Sequence, residues 1–194
     1  MKQYAATIYI EFDIGSEHFS RLLVSKSRVA PRKEHTIPQL ELLSALLAAR
    51  LLKTIQAELS FISNYKCFSD AQIVLAWIKN DSKIYKRFVQ DRVLEIRELT
   101  FKDNWSYIES NFNPADIATR PQLVKAWLKW DLWWNGPSIL ERKKSTDKDT
   151  LQNVVEEEKE EKGVKVNLAV IKTSLITWNR FSSLKRLLST IYYV

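Results

Sequence analysis

Residues 38–57 read PQLELLSALLAARLLKTIQA, and this stretch predicts a long helix packed inside the protein. Its apolar side chains fall on nearly every face of a helix with 3.6 residues per turn, which is typical of a buried helix. Thr36 lies three residues before Gln39, the spacing of a capping box, and Pro38 fits the first helical turn because its missing N–H costs nothing there. Glu41 lies early in this helix, and a carboxylate among so many apolar residues needs a physical reason.

A β-hairpin is predicted before this helix. Residues 3–12 (QYAATIYIEF) alternate between apolar and polar and are rich in β-branched and aromatic side chains, which is a strand pattern. Residues 13–17 contain a glycine and can turn the chain, after which residues 18–27 (HFSRLLVSKS) predict a second strand. Residues 28–35 are basic, contain Pro31 and predict a loop.

Further strands and helices are predicted to alternate after the long helix. A short strand over 65–69 leads into a helix over 71–79, with Asp70 at the junction. The spacing then predicts a helix over 86–99, a strand over 105–109 and a loop that opens a short helix near Asp116. This order of elements indicates an α/β domain with a mixed sheet.

Composition sets the limits of the domain and of its chemistry. Residues 1–140 are predicted to form the domain, residues 141–163 a charged linker, and residues 164–194 a separate, partly helical region with an amphipathic helix over 180–188. The chain has one cysteine and two histidines, too few for a zinc site without carboxylates, and its three glycines allow neither a P-loop nor a dinucleotide fingerprint.

Charge and hydropathy indicate the kind of partner and the compartment. The net charge of +7 favours polyanions such as nucleic acids, although a soluble basic surface has the same composition. The sequence contains no run of about 18 apolar residues and begins with a polar segment, so we expect no membrane partner and an intracellular location, in the cytoplasm or the nucleus.

Three carboxylates lie where the functional groups of mixed sheets gather. Glu41 is early in a buried helix, Asp70 follows a strand and Asp116 is at a helix start. Clustered carboxylates repel one another unless divalent cations neutralise them, which points to Mg²⁺. The alternatives are that Asp70 caps a helix, that Asp116 interacts with a helix dipole, and that Glu41 is a charge of the capping region.

Five segments resemble one family in the same order. Residues 25–51 (SKSRVAPRKEHTIPQLELLSALLAARL) resemble the part of BEL/Pao LTR retrotransposon polyproteins that leads into the glutamate-bearing helix of their ribonuclease H domain. Residues 68–78 (FSDAQIVLAWI) resemble the family's next strand and helix, with Ala71 in place of a serine. The remaining matches bring the resemblance to roughly residues 3–140: FVQDRVLEI (88–96), WSYIESNFNPADIATR (105–120) and WWNGPSIL (133–140).

The resemblance implies a ribonuclease H-like mixed sheet and hydrolysis of the RNA strand of RNA–DNA hybrids. Two Mg²⁺ ions about 4 Å apart would activate a water and stabilise the leaving oxygen. Asp70 and Asp116 would be catalytic metal ligands, and Glu41 a ligand near the 2′-hydroxyl that distinguishes RNA from DNA. In the family a central strand with a first catalytic aspartate precedes the segment that matches Tyr4–Thr7, so we expect that strand to be missing and activity to be low.

The resemblance also suggests contacts and partners. Expected contacts to nucleic acid are Arg28, Arg32, Lys33, Asn113 and Arg120, and the four basic residues among them are equally well explained as solvated charges. Residues 180–193 resemble the start of the region before the integrase, so the reverse transcriptase and integrase parts of a parent polyprotein are expected partners. The other possibility is a non-catalytic nucleic-acid-binding or structural remnant. Tryptophans 127, 130, 133 and 134 can stack on bases or, more simply, pack in the core or in a lid.

Overall fold

The computed structural model describes residues 2–14, 17–32, 34–59, 62, 64–119, 124–137 and 167–172. Within these ranges the chain forms a five-stranded mixed sheet with helices packed against it. The strands are β1 (Gln3–Ile14), β2 (Glu17–Val29), β3 (Asn64–Ser69), β4 (Trp105–Tyr107) and β5 (Asn167–Lys172). The helices are α1 (Ile37–Glu58), α2 (Gln72–Lys79), α3 (Arg87–Leu99), α4 (Val124–Trp127) and α5 (Asp131–Asn135), with short 3-10 helices at Lys102–Asn104, Ser110–Phe112 and Pro114–Thr119.

The predicted long helix is confirmed as α1, with bounds one residue wider at each end. Its capping box is present: the Gln39 backbone N–H donates to Thr36 Oγ1 at 3.4 Å, and the Thr36 N–H donates to Gln39 Oε1 at 3.1 Å. Small residues such as Ala45, Ala48 and Ala49 are fully buried, so the helix approaches the sheet closely. The interior position inferred from its composition is therefore correct.

The strand order across the sheet is β2-β1-β5-β3-β4. β1 and β2 form the predicted antiparallel hairpin, and β4 runs parallel to β3. β5 lies in the middle, parallel to β1 and antiparallel to β3. The middle of the sheet, for which the sequence analysis offered no strand, is thus occupied by residues from beyond position 140, the predicted end of the domain.

Side chains of β1 alternate between two covered faces of the sheet. Ala6 and Ile8 belong to the main core, together with apolar residues of α1. Tyr9 points to the other face, where it packs with Phe68 and Ile108. Since successive residues of a strand face opposite sides, covering both faces of β1 buries its polar residues Thr7 and Glu11 as well as its apolar ones.

The C-terminal end of α5 is fastened to β1 through Tyr9. The Tyr9 hydroxyl donates to the Trp133 carbonyl at 2.7 Å, and burial raises the pKa of Tyr9 well above its usual range. Gly136 has a φ of 75°, and a Cβ there would lie 3.0 Å from Tyr9 Cδ1. Only glycine adopts this backbone at such a close approach without strain.

Helices α1, α2 and α3 are joined by arginine side chains. Arg50 of α1 donates to both carboxylate oxygens of Glu95 in α3, at 2.6 and 2.8 Å. Arg97 donates to the carbonyls of Trp77, Ile78 and Asn80, and so binds the end of α2 to α3. No helix in the described part of the chain is both long enough and apolar enough to span a bilayer.

Val170→Pro tests the place of β5 in the sheet. Val170 pairs with Tyr9 on one side and with Lys66 on the other, and proline removes a backbone donor from a central strand. We expect the free energy of unfolding, measured in urea by tryptophan fluorescence, to fall by at least about 2 kcal/mol. Lys148→Pro, in the predicted linker, is the control and should leave it unchanged; equal effects of the two prolines would contradict the topology.

Candidate metal and nucleic-acid site

Asp70 lies directly after β3, in the turn that leads into α2. It is 7% exposed, and its neighbour Ser69 accepts a hydrogen bond from the Ala71 N–H through Oγ at 3.1 Å. The N-cap of α2 is Ala71, and no side-chain hydrogen bond caps this helix. Asp70 therefore lies one residue before the N-cap position of α2, and its burial needs an explanation other than the N-cap position itself.

Asp116 lies in the first turn of the 3-10 helix Pro114–Thr119, where a short helix was predicted. Asn113 holds the start of this helix, since its Oδ1 accepts from the Ala115 N–H at 3.2 Å. Thr119 Oγ1 donates to the Asp116 carbonyl at 2.9 Å, and Ala115 packs against Ala5 of β1. Asp116 is consequently fixed against the N-terminal part of β1.

Glu41 lies just past the first turn of α1 and is 6% exposed. The first turn itself contains no acidic residue, so Glu41 is not part of the helix cap. A carboxylate this deeply buried is destabilising unless a hydrogen bond, a cation or an ion pair compensates it. The burial of Glu41 agrees with its position in a helix whose sequence is apolar on nearly every face.

Strand register places Asp70 and Asp116 at the same end of the sheet. Thr7 and Phe68 are both register partners of Leu168, so Ala5 lies level with Asp70 across β5. Two strand spacings separate β1 from β3, which corresponds to about 10 Å. Because Ala115 packs on Ala5, Asp116 lies near this same end.

The direction of α1 brings Glu41 to that end as well. β2 ends at Val29, the partner of Gln3, and the chain enters α1 a few residues later. After α1 the chain reaches Asn64, which pairs with Lys172 at the opposite end of the sheet. Helix α1 therefore starts near the end that carries Asp70 and runs away from it.

The donor types at this end of the sheet can be compared with those that a metal ion prefers. Carboxylate oxygens are the ligands that Mg²⁺ prefers, so the donor types fit the ion. Among the residues that the structure describes, however, no group of three or more His, Cys, Asp or Glu residues lies close enough to hold a metal ion. Glu41, Asp70 and Asp116 share one end of the sheet, and a metal ligand role for them stays a prediction.

The expected nucleic-acid contacts differ in their exposure. Arg28, on the edge strand β2, and Arg32, in the following loop, are both exposed. Asn113 is 1% exposed, and its described hydrogen bond is a structural one. Lys33 and Arg120 lie outside the described residues. Contact with nucleic acid stays a prediction for all five.

Glu11 and Cys67 are buried groups that the sequence analysis did not propose as functional residues. Glu11 of β1 is 1% exposed and lies level with Lys172, at the end of the sheet away from Asp70. The alternation of β1 gave no signal of this burial, because Glu11 shares a strand face with the polar residues Gln3 and Thr7. Cys67 is fully buried in β3, and burial raises the pKa of its thiol far above its usual range, so it stays protonated.

Trp127 contacts two neighbouring tryptophans, Trp133 and Trp134. Trp133 is buried, and its ring lies 4.6 Å from that of Trp127 between centroids. Trp134 is more exposed, and its Nε1 donates to the Trp127 carbonyl at 3.0 Å. Core packing, the simpler of the two interpretations, is confirmed for Trp133.

Comparison with known proteins gives one family similarity, which covers the first part of the chain. Residues 1–71 match the family model of the Pao retrotransposon-like RNaseH-like domain. The matched part includes the hairpin, α1, β3 and Asp70, and it confirms the resemblance over these residues. Together with the mixed sheet, the match supports an RNase H-like fold. No curated protein and no solved structure matches the chain.

Proposed function

We propose that this chain is the RNase H-like domain of a retroelement polyprotein and that it binds RNA–DNA hybrids at the end of the sheet that carries Asp70. The observation behind the proposal is the family match over residues 1–71, which ends just after Asp70. Its support from the fold is the position of Glu41, Asp70 and Asp116 at one end of the sheet. Hydrolysis of the RNA strand with Mg²⁺ is the reaction to which these carboxylates would contribute.

Binding would depend on basic side chains near this end. Arg28 is exposed on β2, where it is the register partner of Tyr4 in β1. Arg32 follows in the loop that leads to α1. In the sequence, both arginines lie between β1 of the hairpin and Glu41 of α1. Arginine binds phosphate oxygens through two parallel N–H groups, and the net charge of +7 adds a long-range attraction.

The second candidate is a non-catalytic module that binds nucleic acid through the same surface. The favouring observation is that the described carboxylates do not gather into a group that could hold a metal ion. Such a module would keep the salt-dependent affinity of a basic surface without cleavage. In either case the reverse transcriptase and integrase parts of a parent polyprotein would be the covalent neighbours of the domain.

Arg28→Glu combined with Arg32→Glu tests the binding surface. We expect the affinity for a fluorescent RNA–DNA hybrid, measured by anisotropy at about 100 mM salt, to fall at least tenfold, and the slope of log K against log salt to decrease by about one for each arginine that contacts a phosphate. Lys53→Glu makes the same kind of charge change on an exposed position of α1 farther from Asp70. An equal loss of affinity in the Lys53 variant would contradict a binding surface at this end.

Asp70→Asn tests for a metal site. If Asp70 helps to bind Mg²⁺, the ion stabilises the native chain by about 2.7 kcal/mol at a hundred times its Kd, which corresponds to a rise in Tm of roughly 5–10 °C. The rise should disappear in Asp70→Asn and persist in Asp91→Asn, whose carboxylate is exposed and pairs with Arg87 on the surface. No rise in the native chain, with hybrid binding intact and no cleavage, would contradict the metal site and favour the non-catalytic module.

A further inference from the structure

β5 is the strand that joins two halves of the sheet. One half is the hairpin of β1 and β2, and the other is the parallel pair β3 and β4. Among the described residues β1 and β3 are not paired with each other, since each pairs with β5 instead. Without β5, both strands would present unpaired backbone groups toward the middle of the sheet, which is an acceptor for any strand of suitable length.

The residues of β5 suit this position. The strand reads NLAVIK, with four apolar residues between two polar ones. Helix α1 contacts it on one face of the sheet, and the 3-10 helix Pro114–Thr119 lies against it on the other. A continuous apolar run is typical of a central strand in a sheet that is covered on both faces. The sequence of β5 therefore suits the position between β1 and β3, which we call the slot.

β5 is far along the chain from every other described element. Residues 138–166 separate it from the end of the α5 segment at Pro137, and at full extension they could reach about 100 Å. The connection is therefore long enough to carry β5 to its own slot or to the slot of a neighbouring molecule. Both arrangements make the same backbone pairs and the same contacts.

We propose that β5 exchanges between two copies of this chain, so that each copy completes the sheet of the other in a symmetric dimer. The contacts are the same in both arrangements. The ratio of exchanged dimer to monomer therefore depends on the protein concentration relative to the effective concentration of the chain's own β5. For two binding partners in one chain this effective concentration is on the order of 1 mM. The slot between β1 and β3 is thus an interaction surface whose partner is a second copy.

A disulfide placed across β5 and β3 tests the exchange. Cys67, the only cysteine, is the register partner of Ala169. Register partners on antiparallel strands lie about 4.5–5.5 Å apart between Cα atoms, within the range of a disulfide. Ala169→Cys alone should form the bond within one chain when it is folded at micromolar concentration and then oxidised.

The exchange itself is detected by mixing two full-length chains. One is the native chain with Cys67, and the other carries Cys67→Ala with Ala169→Cys. The two are unfolded together, refolded at about 1 mM and oxidised, and we expect roughly half of the protein to be dimeric by light scattering, with a covalent heterodimer on a non-reducing gel. The control carries Cys67→Ala with Lys159→Cys in the predicted linker, and it should give no heterodimer with the buried Cys67.

Each other outcome contradicts the proposal. Formation of the bond within one chain, without any heterodimer, would mean that β5 remains in its own copy. If neither the disulfide within the Ala169→Cys chain nor the disulfide between the two mixed chains forms, β5 does not pair with β3 in this register. A native dimer that persists in Val170→Pro would mean that the copies associate through another surface.

Discussion

Backbone pairing on both sides of β5 is the constraint on which the rest of the structure depends. Buried N–H and C=O groups are costly when unpaired, and the facing edges of β1 and β3 lie in the middle of the sheet, where water cannot replace a partner strand. β5 satisfies both edges at once. The relative position of the hairpin and of the β3–β4 pair is therefore fixed by a strand that lies far from both in the sequence.

This constraint also determines the geometry of the carboxylate end. Asp70 follows β3, and Asp116 follows Ala115, which packs against Ala5 of β1, so the separation of the two aspartates depends on what lies between the two strands. With one strand in between, the two backbones are about 10 Å apart. That spacing sets the distance that the Asp70 and Asp116 side chains would have to bridge to bind the same ion or pair of ions.

The sequence predicted those parts of the fold whose signals are local. The alternation of residues 3–12 predicted β1, the capping box at Thr36 predicted the start of α1, and the apolar run before Asp70 predicted β3. The place of β5 could not be predicted, because a short apolar segment such as NLAVIK carries no information about which strands it will join. Its strand partners are chosen by long-range packing.

For the candidate site, the sequence predicted where the acidic residues lie along the chain but not which of the neighbouring polar residues are buried. The sequence showed that Glu41, Asp70 and Asp116 stand at element boundaries, and the structure places them at one end of the sheet. It did not show that Asn113 is buried and holds the turn before Asp116, since an asparagine in a loop is compatible with a solvent contact or with an internal hydrogen bond. Burial of Glu11 was missed because one charged residue in an alternating strand is usually assigned to the solvent face.

Residue-level hydrogen exchange of the native chain is the most direct test of the central claim that β5 completes the sheet. The structure predicts that backbone amides of residues 168–171 are protected with the same opening free energy as those of Thr7 to Ile10 and of Cys67, because all belong to one cooperative unit. Exchange of the β5 amides at the rates of an unfolded peptide, while β1 and β3 stay protected, would contradict it.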